Sequence, residues 1–314
     1  MPRRFTNLNP AHRPRPFSEV LRWGVIDRLT GRRRISPPGR PAPWQPVDLS
    51  LIHSPDPAPR VTWIGHSSFL LSLAGHHVLI DPVFARRIGA FYPRWGRLGL
   101  LPAELPPISA VLVSHNHYDH LDAASLQAVR RRVLAPLPVV VPSRLGAWFR
   151  HRGFRTVHEL GWWESVKVGL LTITLVPARH WSHRLPGDTN RSLWGGFVIE
   201  AGGERIYHAG DTAMFEGLRE IARRFPGLTA ALLPIGGYDP AWFMSHNHMN
   251  PEEAGEAFLT LGARHLIPMH WGAFQLTDEP ISEPPVRLKA WWQAHDPRDD
   301  RRLDVMAVGE TLVL

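Results

Sequence analysis

The stretch VLVSHNHYDHLD, Val111–Asp122, places three histidines and an aspartate within six positions, directly after an apolar run. The short apolar run in Ala110–His115 predicts a buried strand. Asp122–Val133 predicts a helix. The polar side chains therefore stand where a strand ends and the chain turns toward a helix.

The spacing inside this stretch favours a site for two metals. His115 and His117 are two positions apart, so in an extended chain both side chains lie on the same side and can bind one cation. Asp119 and His120 follow as the chain turns, and can reach a second cation beside the first. The competing interpretation is a solvated, histidine-rich loop.

Three further predicted strands end in residues that would complete such a site. VPARHW places His180, IYHAGDT places Asp211 and HLIPMHW places His270 after apolar runs. A single histidine at a strand end is more often structural. Together with the first motif, however, these residues give a donor set that suits two divalent cations. We expect one metal on His115, His117 and His180, the other on Asp119, His120 and His270, and Asp211 as the bridge between them.

The composition limits the cofactor and the partners. The chain has no cysteine, so any metal must be held by nitrogen and oxygen atoms; two Zn²⁺ ions are expected, with Mn²⁺ or Fe²⁺ as alternatives. The net charge of +8 comes almost entirely from arginine. It suits anionic partners such as phosphate substrates, nucleic acid or lipid headgroups, but does not choose among them. An arginine-rich bias without a binding role explains it equally well.

The first 58 residues differ in composition from the rest. They are rich in proline and arginine and predict one helix, with Ser18 as its cap. Its apolar stripe, with Arg28 and the run Arg32–Arg34 nearby, either packs on the main domain or touches an anionic membrane surface. The apolar stripe consists of Phe17, Leu21, Val25 and Leu29. No apolar stretch predicts a membrane span or a secretory signal, so we expect a cytoplasmic protein, at most peripheral at the inner membrane surface.

Residues 59–314 predict a single α/β domain. The chain has 314 residues and 44% hydrophobic content, enough for a full core. Two strand-rich halves, each followed by helices, predict a four-layer αββα sandwich with two mixed sheets packed face to face. Strands are expected at VTWIGH, SFLLSL, HVLIDP, VVVPS, SVKVGLLTITLVPA, LWGGFVIEA, ERIYHAGD, ALLPI and HLIPMH, and helices near Met214–Arg224 and Pro251–Leu261.

Longer motifs surround the candidate ligands: TWIGHSSFLL, LIDPVF, ELPPISAVLVSHNHYDHLD, RSLWGGFV, YDPAWFMSHNHMNPEEA and MHWGAFQLTDEPISEPPVRL. The segments SHNHYDHLD and AGDT resemble the metallo-β-lactamase-fold hydrolases. The longer motifs resemble the branch of N-acylphosphatidylethanolamine-hydrolysing phospholipases D, over about Val61 to Leu288. The resemblance implies the αββα sandwich and the same seven ligands, and it places an additional active-site histidine at His248.

These features predict a hydrolase in which a hydroxide bridging two metals attacks a phosphodiester, most concretely N-acylphosphatidylethanolamine or a related lipid. Asp211 and Asp119 would be catalytic residues at the metals. His248 would stabilise phosphoryl oxygens, protonate the leaving group or have only a structural role. The alternatives are a lactone or carboxylic ester hydrolase, or a metal-binding protein without turnover. No dedicated nucleic-acid module is evident. A small-molecule or phospholipid substrate is expected, and a homodimer is among the open oligomeric states.

Other residues near the motifs carry weaker predictions. Asp81 either orients a ligand histidine or caps a turn. His66 and His208 are expected to be structural or to support the ligands. Asn116 stands where a redox diiron site of this fold would carry a glutamate, which argues against oxygen chemistry. Five aromatic residues either line an apolar substrate pocket or pack in the core: Trp181, Trp194, Trp242, Phe243 and Trp271.

Overall fold

The computed structural model describes residues 4–33, 36–37, 39–89, 92–133, 136–295 and 300–314. Its α-helices are α1 Phe17–Leu21, α2 Asp27–Leu29, α3 Leu49–Ile52, α4 Ala123–Arg132, α5 Gly146–Arg150, α6 Gly217–Arg224, α7 Ala241–Met244, α8 Pro251–Leu261 and α9 Glu283–His295. A π-helical turn, Arg22–Ile26, joins α1 to α2, and a 3₁₀ turn covers Pro102–Glu104.

The strands of the described residues form two mixed sheets and a small hairpin. The strands are β1 Arg60–Gly65, β2 Ser68–Leu73, β3 His76–Ile80, β4 Arg87–Ile88, β5 Tyr92–Pro93, β6 Ala110–Leu112, β7 Pro138–Pro142, β8 Thr156–Leu160, β9 Ser165–Val168, β10 Leu171–Val176, β11 Gly196–Ala201, β12 Glu204–His208, β13 Ala230–Pro234, β14 His265–Met269, β15 Arg302–Leu303 and β16 Thr311–Val313. One sheet has the order β16-β1-β2-β3-β6-β7-β8, and the other has the order β15-β14-β13-β12-β11-β10-β9. The hairpin pairs β4 with β5.

Alternation along the strands creates the layers. In β6 and the residue after it, Ala110 and Leu112 face the core shared with the second sheet, whereas Val111 and Val113 face a second core that contains Leu126 of α4. A period of two places successive side chains on opposite faces of a sheet. Helices α6 and α8 contact each other over the second sheet, with α9 against α8. The predicted αββα sandwich is therefore confirmed.

Most predicted elements of the domain are present. Helix α8 has the predicted bounds, and Asp122 caps α4 by accepting a hydrogen bond from the Ser125 amide at 2.9 Å. SVKVGLLTITLVPA forms a hairpin of β9 and β10 that turns at Gly169, which has a φ of +58°. The sequence analysis did not predict β8 or α9, because β8 is only half-buried and α9 opens with two prolines.

The N-terminal helix differs from the prediction. The residue before the helix is Pro16, so the prediction that Ser18 caps it is wrong: Ser18 lies inside the first turn. The predicted stripe does not pack on the domain either, since Leu21 is 41%, Val25 46% and Leu29 82% exposed. The π-helical turn adds a residue to one turn and so shifts the helical period. The side chain of Phe17 and all of Arg34 lie outside the described residues.

The N-terminal 58 residues do not run apart from the domain. Trp44 forms an isolated parallel bridge with Val308, and residues 4–33 contact the loops at one end of the sandwich. The division at residue 58 stays a prediction. Within the described part of the chain, no helix combines the length and the hydropathy needed to cross a bilayer.

Candidate metal centre

The predicted ligands follow the ends of four strands. His115–His120 come after β6, His180 after β10, Asp211 after β12 and His270 directly after β14. Strands β12, β13 and β14 are parallel, as are β3, β6 and β7. Residues that follow the carboxyl ends of parallel strands meet at one edge of the sheet, so folding collects distant side chains there.

One group of donors converges around His117. The Nδ1 atom of His117 lies 2.9 Å from His115 Nε2 and 3.2 Å from His180 Nε2. Asp211 Oδ2 lies 3.8 Å from the Nε2 atoms of both His115 and His180. All four residues can offer one ligand atom within 4.8 Å of the others. This is the ligand group predicted for the first metal.

A second group of donors surrounds Asp119. Its Oδ2 atom lies 3.6 Å from His120 Nε2 and 3.4 Å from His270 Nε2. His66 Nε2 lies closer, 3.0 Å from the same oxygen. The group therefore includes the three predicted ligands together with His66, which was expected to be structural or to support the ligands.

Asp211 connects the two groups. Its Oδ1 atom is 3.2 Å from His120 Nε2, and its Oδ2 atom is 3.2 Å from His270 Nε2. The same Oδ2 atom faces the first group at 3.8 Å. A carboxylate with contacts to both sets of imidazoles occupies the position that a bridging ligand requires.

Buried polar atoms without hydrogen bonds show that this donor set suits cations. They include His120 Nε2, His270 Nε2 and Asp211 Oδ1. A buried polar atom without a partner is costly, and such atoms concentrated in one place call for an explanation such as an ion. Imidazole and carboxylate donors without thiolates suit zinc and also manganese or iron.

Electrostatics prepares the first group for metal binding. Burial, and then the neighbouring histidines, hold the pKa of His115 well below its usual value. Burial lowers the pKa of His117 to about 4 and that of His180 to about 3. These imidazoles are therefore neutral at pH 7, which is the protonation state that binds a metal.

The second group concentrates negative charge. Burial opposes the charge on Asp119 and Asp211, but His120 and its neighbours outweigh it and hold both pKa values well below normal. Burial also opposes protonation of His270, yet Asp211 and Asp119 raise its pKa to about 10. Two buried carboxylates thus attract positive charge, and a divalent cation can supply it in place of protons.

Supporting contacts orient the ligand rings. His120 Nδ1 donates to Asp81 Oδ2 at 2.7 Å, which leaves Nε2 directed at the carboxylates. His180 Nδ1 donates to the carbonyl oxygen of Asn247 at 3.1 Å. Asp81 therefore orients a ligand, as one of its two interpretations predicted. His208 Nε2 donates to the Ser67 carbonyl at 3.1 Å and so has a structural role.

His248 lies beside the candidate ligands. Its ring centroid is 5.1 Å from that of His180 and 5.2 Å from that of His270. Its Nδ1 atom is buried without a hydrogen-bond partner, and burial lowers its pKa to about 3. Gly237, with a φ of +84°, passes so close that a Cβ there would lie 3.0 Å from His248 Nδ1. A larger residue at position 237 would therefore displace this histidine.

An open cavity of about 250 Å³ adjoins the donors. The polar residues in its wall include His117, Asp119, Asp211, His248 and His270. The apolar residues in its wall are Val20, Trp23, Trp181, Phe243, Met244 and Leu276. The centre is thus polar at the metal ligands and apolar around them.

Two of the five predicted aromatic residues, Trp181 and Phe243, line this cavity. Trp194 is buried and donates its indole N–H to the Ala178 carbonyl at 2.9 Å, and Trp271 packs on Trp63. The sequence analysis missed Val20 and Trp23 in the cavity wall, since they lie about 90 residues or more before the first ligand. The only sequence signal was an aromatic residue within the predicted N-terminal helix.

Comparisons with known proteins agree with this geometry. The family model of the beta-lactamase superfamily domain matches residues 76–271. A Caenorhabditis elegans N-acyl-phosphatidylethanolamine-hydrolyzing phospholipase D is 34% identical over 265 residues, covering 79% of this chain and 74% of the relative. A mitochondrial enzyme of the same name from Saccharomyces cerevisiae is 37% identical over 243 residues, 73% of this chain but only 50% of that relative.

A solved structure gives the same result for the fold. A metallo hydrolase from the archaeon Ignicoccus hospitalis is 25% identical and superposes with a TM-score of 0.63, covering 81% of this chain and 97% of the other. The strand-end donors, the family match and these relatives agree with one another. The chain therefore belongs to the metal-dependent hydrolases of the beta-lactamase superfamily, in the group that contains N-acyl-phosphatidylethanolamine-hydrolysing phospholipases D.

Proposed function

We propose that the protein is a two-metal phosphodiesterase of the phospholipase D type, acting on N-acylphosphatidylethanolamine or a related lipid. Water would cleave the P–O bond that joins phosphorus to the alcohol. The water oxygen would bond to phosphorus, the alcohol would leave with a proton, and a phosphomonoester would remain. The products of the named lipid would be an N-acylethanolamine and a phosphatidic acid.

Two divalent cations, when bound, would lower the pKa of a bound water and neutralise charge on the phosphoryl oxygens. His115, His117 and His180 would hold one cation, Asp119, His120 and His270 the other, with Asp211 between both groups. Asp211 would also orient the attacking water, because its carboxylate is the acceptor that faces both groups.

The neutral state of His248 favours a role in binding a phosphoryl oxygen over a role as proton donor. Its lowered pKa keeps the ring neutral at pH 7, so it carries no extra proton to give to a leaving group. A neutral imidazole still donates one N–H hydrogen bond, and a phosphoryl oxygen beside the metal ligands would accept it. This hydrogen bond would stabilise charge that builds during the reaction.

The observation that carries the lipid assignment is that the cavity combines polar metal ligands with apolar walls. Charged and polar ligand groups, which suit a phosphodiester, lie in the same cavity as Val20, Trp23 and Phe243. Apolar walls around a few convergent polar groups are typical of ligand sites that bind an apolar molecule with a polar centre. The phospholipase D names of two relatives add support.

Zinc-loaded protein incubated with N-acylphosphatidylethanolamine in mixed micelles tests the proposal, with Asp211→Asn as the control. Mass spectrometry should detect both N-acylethanolamine and phosphatidic acid with the wild type and neither with the variant. Absence of both products from a protein that holds two metals would refute the lipid assignment. Lactones and soluble phosphodiesters would then be tested, because the same fold hosts carboxylic ester hydrolysis.

A lipid substrate also calls for contact with a membrane, and we propose the outer face of the N-terminal helix for it. Leu21, Val25 and Leu29 are exposed there, next to exposed Arg22 and Arg28. An apolar face flanked by arginines suits an anionic bilayer surface. The other side of the same helix carries Val20 and Trp23, so the bilayer would lie close to the cavity mouth.

A further inference from the structure

The N-terminal segment, defined as residues 4–33, is fixed to the loop that carries His180. Asn7 is buried, and its side-chain amide pairs with the backbone of His180: Nδ2 donates to the carbonyl oxygen at 3.0 Å, and Oδ1 accepts from the amide at 3.1 Å. The same Nδ2 donates to the His12 carbonyl at 2.9 Å. A side chain of this segment thus positions a candidate ligand through its backbone.

The segment is also fixed to helix α7, which precedes His248. Arg15 Nη2 donates to the Trp242 carbonyl at 2.6 Å, and its Nε donates to the Phe243 carbonyl at 3.3 Å. Glu19 pairs with the same guanidinium at 3.2 Å. Hydrogen bonds to a charged donor are stronger than neutral ones, so this contact holds the two segments together.

Trp23 provides the third attachment. Its ring stacks on Phe243 at a centroid distance of 5.1 Å, and its Nε1 donates to Asp278 Oδ2 at 3.2 Å. Arg33 pairs with Asp278 at 2.7 Å and lies over the Trp23 ring at 4.0 Å. The contacts with Phe243, Asp278 and Arg33 therefore fix the position of the Trp23 ring in the cavity wall.

These attachments turn the segment into one wall of the metal cavity. Arg15, Val20 and Trp23 line that cavity together with His117 and Asp211. The segment precedes residues 76–271, which the family model matches. This part of the cavity wall therefore comes from residues outside the matched stretch.

We propose that the N-terminal segment is a specificity element, in which Trp23 and Val20 form the surface that packs against a long alkyl or acyl chain of the substrate. The inference rests on the proposed function, which places the phosphoryl group at the metal ligands. The alkyl or acyl chain of the substrate would extend from the metal ligands along Trp23 toward the exposed side of the N-terminal helix. Without this wall, the centre would still accept small phosphoesters but would bind a longer alkyl or acyl chain less tightly.

Alkylphosphonates of increasing length provide the test, because a phosphonate binds metals without being hydrolysed. Binding of methyl-, butyl- and octylphosphonate to the zinc-loaded full chain is measured by calorimetry. A fully buried methylene tightens binding by about fourfold, so octylphosphonate should bind the wild type at least about tenfold more tightly than methylphosphonate. Trp23→Ala should lose most of this gain in affinity for octylphosphonate over methylphosphonate, and should still bind methylphosphonate.

Two variants separate the wall from other effects. Trp242→Ala removes an indole that contacts Phe243 but does not line the cavity, so it should keep the gain. Trp23→Phe loses the hydrogen bond to Asp278 but keeps an aromatic wall, so it should keep most of the gain. Should Trp23→Ala not fold, Val20→Asn, at a partly exposed position of the wall, replaces it and should reduce the gain.

The outcomes distinguish this inference from the proposed function. A wild-type protein that binds methylphosphonate without any gain for octylphosphonate, or a Trp23→Ala variant with the full gain, overturns the specificity element but leaves the phosphoryl site. If the zinc-loaded protein binds no phosphonate at all, the proposed phosphoryl site fails and the inference fails with it.

Discussion

Asp81 accepts a hydrogen bond from Nδ1 of His120 at 2.7 Å, at a place where both side chains are fully buried. Asp81 also accepts from the Ser114 amide at 2.7 Å and from the Ser114 hydroxyl at 2.6 Å. With three donors directed at it, the carboxylate must stay an acceptor at both oxygens. It thereby fixes which nitrogen of His120 faces the metal centre.

Asp81→Asn should weaken zinc binding by about 10–100-fold. The NH₂ group of the asparagine would face one of these three donors and could not accept its hydrogen bond. Asparagine tolerates the positive φ of +42° at this position, so the backbone should not change. Competition with a chelator measures the affinity. Asp122→Asn, which weakens the cap of α4 at a carboxylate outside both donor groups, is the control; equal zinc affinity of the Asp81 variant and the wild type would contradict the orienting role.

Asp211→Asn should keep the fold and lose turnover by more than about a hundredfold, since changes to residues behind the ligands already cost 10–100-fold. The asparagine side chain has the same size, so the fold should be retained. Turnover of a soluble phosphodiester under zinc saturation measures the effect. Unchanged turnover would remove Asp211 from the reaction.

His115→Ala and His270→Ala should each reduce the bound metal from two ions toward one per chain. Each substitution removes one nitrogen from a different donor group, so the remaining group keeps its ligands. Elemental analysis after dialysis gives the stoichiometry, and His151→Ala, at an exposed position, serves as the control. Full occupancy in either ligand variant would show that the assignment of that group is wrong.

Asn7→Ala should lower the affinity of one of the two metals by about tenfold, because it releases the backbone of His180. Stepwise zinc titration resolves the two affinities, and the thermal midpoint reports any general loss of stability. Asn9→Ala is the matched control, since Asn9 is exposed and its side chain accepts a hydrogen bond from the nearby Ala11 amide. A loss of stability with both affinities unchanged would make Asn7 purely structural.

Leu29→Glu should weaken binding to phosphatidylglycerol vesicles by about tenfold or more, since burial of a leucine contributes about 1.5–3 kcal/mol. Leu170→Glu is the control, because Leu170 is 72% exposed at the turn before β10, the strand whose other end leads to His180. Cosedimentation with vesicles measures both. Equal binding of both variants and the wild type would exclude this helix face as the bilayer contact.

The sequence predicted the two-sheet sandwich correctly because its strands carry continuous or alternating apolar runs. VTWIGH, SFLLSL and the run before His115 became β1, β2 and β6. The prediction was weaker where burial is partial, as in β8, and where an apolar run contains a turn, as in the β9–β10 hairpin. In those places local composition does not determine which residues face the core.

The sequence by itself determined the donor types and their separation into two groups, because His115–His120 lie within one short turn and the other candidates follow strands. Only the tertiary structure brought His66 to Asp119, paired Asn7 with the backbone of His180 and set Trp23 in the cavity wall. Side chains that are far apart along the chain meet only when the sheets pack. No local pattern specifies that pairing, so the part of the cavity wall formed by Val20 and Trp23 could not be predicted from any motif.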